Sequence, residues 1–154
     1  MPRLLSRGEI TNWFLYLLSA NLDAAYDITL NIANNLLRKV PDALYRCDIY
    51  LKNVRSVSFA QNSIKQFPIA LKKMTSLRFL NIKGCSLKVF PEFILGLTML
   101  EKLWLDHNRA LKVLPKNLPR TLEELAIDEV VFKRNRRVIK MLQKRYVKVI
   151  IIRD

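Results

Sequence analysis

The sequence predicts an α/β solenoid: a parallel β-sheet on the concave side, short helices or turns on the convex side, and a capping helix at each end. Three observations carry that expectation. The string apolar-x-apolar-x-x-Asn (or a substitute), followed by apolar-x-x-apolar-Pro, recurs four times, from Leu30 to Pro41, Val57 to Pro68, Leu80 to Pro91 and Leu103 to Pro115. The copies follow one another at a nearly constant step, the mark of units that bury their apolar face only by stacking on neighbours. The stretches flanking the array lose this pattern and take up a helical one.

Residues 1–26 are expected to form the N-terminal cap. Ser6 and Glu9 have capping-box spacing, and Ile10, Trp13, Phe14, Leu17 and Leu18 recur on one helical face. Such a helix covers the end of a stack that would otherwise expose core and strand edge. A membrane-surface or partner helix and a cleaved targeting sequence are the competing readings.

The repeats follow over 27–132. Alternate apolar residues, such as Leu80 and Ile82 or Leu103 and Leu105, point one row inward as a short strand does. Asn35, Asn62 and Asn108 come just after the strand, where an Asn side chain bonds turn backbone and stitches adjacent units. Cys85 holds that position in the third unit and Val130 in the fifth, where the regular array is expected to end. Pro41, Pro68, Pro91 and Pro115 are placed to end the return limb and open a short convex helix. Residues 133–154 are read as a helix over about 133–145, with Val138, Ile139, Met141 and Leu142 toward the last repeat, then a final strand. In that strand Tyr146, Val149 and Ile151 match core positions and Ile150 and Ile152 face out. The whole of 1–154 thus reads as a single domain.

One full unit is L-x-x-L-x-L-x-x-N-x-L-x-x-L-P-x-x-L, with first positions at Asp27 (degenerate), Val54, Leu77, Leu100, Leu122 and Tyr146. This resembles the leucine-rich repeat family over residues 27–152. The resemblance implies a recognition scaffold with no fixed partner class, usually binding protein on its concave face. It also implies an intracellular, cytoplasmic setting, because the cysteine clusters that flank extracellular relatives are missing; Cys47 and Cys85 fall at core positions.

Lys and Arg number 27 against 13 acidic residues, a net charge of +14. An excess of that size points to an anionic partner, with nucleic acid first and acidic protein or membrane surface behind it. Two patterns sharpen the point. The residue after the post-Asn apolar position is basic in all four proline-bearing units, at Arg38, Lys65, Lys88 and Lys112, so stacking lines them up along one rim. Between Lys133 and Arg153 lie nine basic residues and no acid, with Lys133, Arg134, Arg136, Arg137, Lys140 and Lys144 the candidates for holding RNA phosphates. The plain alternative for both is a solvated face.

On the concave floor, Phe79 and Trp104 are the aromatic candidates for protein contact, with Lys83, Asp106 and His107 beside them; base stacking is the alternative. Ile150 and Ile152, on a final strand edge, are further candidates for a protein contact. Catalysis has little support: His107 is the only histidine, its neighbour Asp106 could orient it, but no nucleophile is placed by any recognised spacing. Two cysteines and one histidine supply no metal cluster, and three glycines make no phosphate loop, so neither cofactor nor small-molecule substrate is expected. The expected function is a non-catalytic scaffold in a ribonucleoprotein assembly such as a ribosome. The alternative is an adaptor for an acidic protein without RNA, and a membrane role ranks last.

Overall fold

The computed structural model describes residues 28–46 and 51–153. The expected N-terminal cap, Asp27 and Cys47 lie outside them. Six strands form one parallel sheet in sequence order: β1 (Ile28–Asn31), β2 (Val54–Ser58), β3 (Phe79–Asn81), β4 (Lys102–Trp104), β5 (Glu124–Asp128) and β6 (Lys148–Ile152). The register is that of the repeat. Leu30, Val57, Leu80, Leu103, Leu125 and Val149 stand side by side, each one strand on from the last. Their common face is inward because the strand period places every second side chain on it. Val57, Phe59, Leu80, Ile82, Leu103, Leu105, Leu125 and Ile127 are all fully buried.

Asn62 and Asn108 act as the sequence suggests, whereas among the described residues the Asn35 side chain bonds carbonyls of its own turn, Ile32 O and Ala33 O, and does not stitch units together. The amide of Asn62 donates to the carbonyls of Ile32 (2.9 Å), Phe59 (2.7 Å) and Ala60 (3.3 Å), and its oxygen accepts from the backbone N–H of Asn35 (3.1 Å) and Leu37 (2.9 Å). Asn108 repeats this two layers on, donating to Ile82 O at 2.9 Å and accepting from Leu87 N at 3.0 Å. Between them the Cys85 thiol donates to Phe59 O at 3.3 Å. The same sulfur faces the backbone N–H of Asn62, and Ser63 N donates to Leu37 O at 2.8 Å.

On the convex side the prolines open short helices in three units: α1 (Ala43–Arg46) after Pro41, and 3₁₀ turns at Ile69–Lys73 and Glu92–Gly96 after Pro68 and Pro91. Proline fixes the φ needed to turn the chain there, −67° at Pro68 and −72° at Pro91. No helix forms after Pro115; that limb turns through Leu118 and Pro119, both buried.

Three expectations are corrected. The C-terminal helix is two, α2 (Glu129–Arg134) and α3 (Arg136–Lys144), because Asn135 breaks it. Its buried side chain accepts from Leu114 N at 2.8 Å and donates to Lys112 O at 3.1 Å, work that a helical surface residue could not do. Met141 is exposed and does not face the repeats; Val138, Ile139 and Leu142 supply the buried face. Tyr146 is not a core residue: it is 95% exposed, and Val147 takes its place inside. After α3 the N–H of Tyr146 bonds Gln143 O and that of Val147 bonds Leu142 O, a helix end that sets Tyr146 in the left-handed region at φ 62° and turns Val147 back onto Leu142.

Candidate functional site

The outward residues of the strands form two registered rows across the concave face: Thr29, Ser56, Phe79, Lys102, Glu124 and Lys148, and Asn31, Ser58, Asn81, Trp104, Ala126 and Ile150. Phe79 and Trp104 sit diagonally on adjacent strands and meet edge to face, centroids 5.0 Å apart at 80°. The indole N–H donates to Glu124 Oε1 at 2.9 Å, and Glu124 Oε2 lies 3.3 Å from Lys148 Nζ. The Trp104 bond first, and Lys148 after it, hold the Glu124 carboxyl below its ordinary value against the opposing effect of burial. A chain of contacts thus runs Phe79, Trp104, Glu124, Lys148 over four strands and fixes the aromatic pair half-buried. Sequence reading missed Glu124 and Lys148 as partners of Trp104, since they lie 20 residues and more away and are joined only by register.

At the rim of this face Asp106 is 3% exposed and accepts from Lys83 Nζ and His107 Nδ1, each at 2.9 Å. It is therefore an internal counterion that holds Lys83 and His107 in place and not itself a surface group. The backbone N–H of His107 and of Asn108 donate to the two oxygens of Asp128, at 2.9 and 2.8 Å. Asp128 so ends the asparagine ladder where Val130 was expected to interrupt it. Burial pushes the Cys85 thiol up to about 11, which keeps it protonated and bonded to its carbonyl. Among the described residues no three of His, Cys, Asp and Glu gather as metal ligands, and no helix is long and apolar enough to cross a membrane.

The predicted basic residues are all exposed, but they do not behave alike. Lys133 pairs with Glu129 at 3.2 Å, and Arg134 donates to Arg109 O at 3.1 Å. Arg145 likewise donates to Pro119 O at 2.6 Å. By contrast Arg136, Arg137, Lys140 and Lys144, along α3, meet no carboxylate among the described residues. Nor do Arg38, Lys65, Lys88 and Lys112 at the successive return limbs. Arg38 and Lys65 border one groove of about 510 Å³, and Lys65 and Lys88 the next, of equal size, floored by Phe67, Phe90 and Pro91. A third cleft, about 590 Å³, lies between Pro115 and the α2–α3 junction and is lined by Lys116, Lys133, Arg134, Arg136 and Arg137 with no acid. Lys116 carried no periodic signal in the sequence.

No family model matches the chain, and no curated protein does. A leucine-rich repeat protein of Leptospira interrogans matches in structure with a TM-score of 0.56 and 17% identity, over 88% of this chain and 39% of that one. The fold is that of the leucine-rich repeat family. In this leucine-rich repeat solenoid the concave face carries paired charges around a fixed aromatic pair, whereas Arg38, Lys65, Lys88 and Lys112 on the return limbs and the four cations of α3 meet no carboxylate among the described residues. The chain spans about two-fifths of the Leptospira protein's length.

Proposed function

We propose that this chain is a non-catalytic interaction scaffold that docks on a phosphate-bearing polyanion, foremost the RNA of a ribonucleoprotein assembly such as a ribosome. The observation that carries the reading is the basic face of α3. Arg136, Lys140 and Lys144 recur four residues apart with Arg137 beside them, exposed and without a facing carboxylate among the described residues. Like charges at that spacing destabilise a helix by about 0.2–0.5 kcal/mol per pair, a repulsion that bound phosphates relieve. The acid-free cleft at the α2–α3 junction and the rim cations Arg38, Lys65, Lys88 and Lys112 extend the same field. In this reading residues 1–154 form one intracellular leucine-rich repeat domain with residues 1–26 as its cap. The test is filter binding of single-stranded RNA by Arg136→Glu/Arg137→Glu/Lys140→Glu. Affinity should fall at least about tenfold, since several phosphate contacts are lost together. Unchanged affinity in a variant that keeps its stability would overturn the reading.

A second reading rests on Phe79 and Trp104: a protein partner on the concave face, acidic enough to meet Lys102 and Lys148, with no RNA involved. A complex of the endogenous protein that survives nuclease intact, and weakens in Trp104→Ala, would favour it over the first.

A further inference from the structure

Independently of the polyanion reading, we infer that the outer edge of β6 is a docking edge for an extended acidic strand of another protein. Among the described residues β6 is hydrogen-bonded only to β5, and it closes the sheet order. Lys148 N donates to Glu123 O at 2.7 Å, so Lys148, Ile150 and Ile152 direct their backbone groups toward β5. By strand alternation Val149 and Ile151 direct theirs to the open side.

The core is open at the same place. In β2 to β5 both inward side chains of each unit are fully buried, and at the opposite edge Leu30 and Ile32 are 1% and 2% exposed. Val149 and Ile151 hold the same two rows yet remain partly exposed, as do Ile150 and Ile152 on the other face. Backbone donors, backbone acceptors and an apolar row are thus presented together, which is what an added strand consumes.

Charge selects the occupant. Lys148 and Arg153 on or beside this strand and Lys144 before it are exposed, while Arg145 is turned to Pro119 O, and Glu124, already bonded to Trp104 and Lys148, is the acid held against them. A second copy pairing β6 on β6 would bring these cations against their own counterparts. Nucleic acid offers no backbone amides to a strand edge and gains nothing from isoleucines. A strand alternating carboxylates with β-branched residues satisfies all three features: it continues the ladder, extends the inward row, and meets Lys148 and Arg153 with negative charge.

The test is amide hydrogen exchange resolved by NMR on the full chain, with an end-blocked peptide of alternating glutamate and valine as probe. Free, Val149 and Ile151 should exchange fast while Ile150 is slow. The peptide should slow Val149 and Ile151 about tenfold and leave Ile150 unchanged. The lysine–valine counterpart should do nothing to the native chain, and should become the better ligand of Lys148→Glu/Arg153→Glu, whose fold is checked at the Leu103 and Leu125 amides. Four results would overturn the inference: no protection at millimolar peptide, equal protection by both peptides, Val149 and Ile151 already slow in the dilute free chain, or protection that grows with protein concentration alone. RNA titrated into the same sample leaves these amides untouched if the two surfaces are separate, so either proposal can fail without the other.

Discussion

Asn62 holds two layers of the stack together through one side chain, bonding three carbonyls and two N–H groups while 4% exposed. Alanine there strands several buried groups, each costing about 1–3 kcal/mol, so Asn62→Ala should lose at least about 3 kcal/mol in urea denaturation. Asn35→Ala should lose about 1 kcal/mol, because the half-buried Asn35 side chain bonds only carbonyls of its own turn. Equal losses would show that bridging between layers adds nothing. Glu124 gives a pH signature. Its folded pKa is lowered, so its contribution to stability is complete above the ordinary Glu value of about 4.3 and is lost as pH falls through the lower folded one. Trp104 fluorescence should therefore titrate below the ordinary Glu range, and Glu124→Gln should flatten the curve. Asn62 and Asn108 were legible as ladder residues because one residue type recurs at one spacing. Asp128 and Asn135 were not. They do the same work from off-register positions, and only the fold brings them to the backbone of residues 20 and more away.

At the scale of the element, α3 shows where periodicity suffices and where it stops. Val138, Ile139 and Leu142 were readable as its buried stripe, but the break at Asn135 answers to the bonding needs of Lys112 and Leu114 on another limb. The misplacing of Tyr146 has a local cause: a left-handed residue between helix and strand shifts the core position by one, and a period count cannot see a change of backbone hand. That conformation costs a non-glycine residue about 1–2 kcal/mol. Tyr146, almost wholly in solvent, has little packing to offset this. Tyr146→Gly should consequently raise stability by up to about 1 kcal/mol in thermal unfolding. A loss would mean that the ring does something the isolated chain makes use of.

At the scale of the molecule, the acids and bases of the described residues are partly sorted by face. Glu101 with Arg78, Asp106 with Lys83 and His107, and Glu124 with Lys148 place the compensated pairs along the sheet side. Arg38, Lys65, Lys88 and Lys112 on the return limbs and Arg136, Arg137, Lys140 and Lys144 on α3 have no such company among the described residues, although Lys39 pairs with Asp42 on the convex side. The total of +14 was plain from composition, but its segregation depended on which lysines find carboxylates, and that is decided by register. If α3 alone contacts four phosphates of a single strand, log affinity should fall with log salt at a slope of about −3. A slope near zero would remove phosphate contact as the basis of binding.

In each of four units the residue just before the ladder position, Asn34, Gln61, Gly84 or His107, has a left-handed φ of 54° to 61°, and in two units the residue just after it, Leu36 or Ser86, does as well. At Gly84 a side chain would also run into the Gln61 amide, 2.8 Å from where its Cβ would lie. The chain is therefore metered: gaining a single residue upstream of such a bend would push an alanine, lysine or aspartate (Ala33, Ala60, Lys83 or Asp106) onto the left-handed dihedral, whereas removing or duplicating an entire period would restore every bend to a residue already fitted for it. Changes in length during the history of such a protein should come in whole rungs.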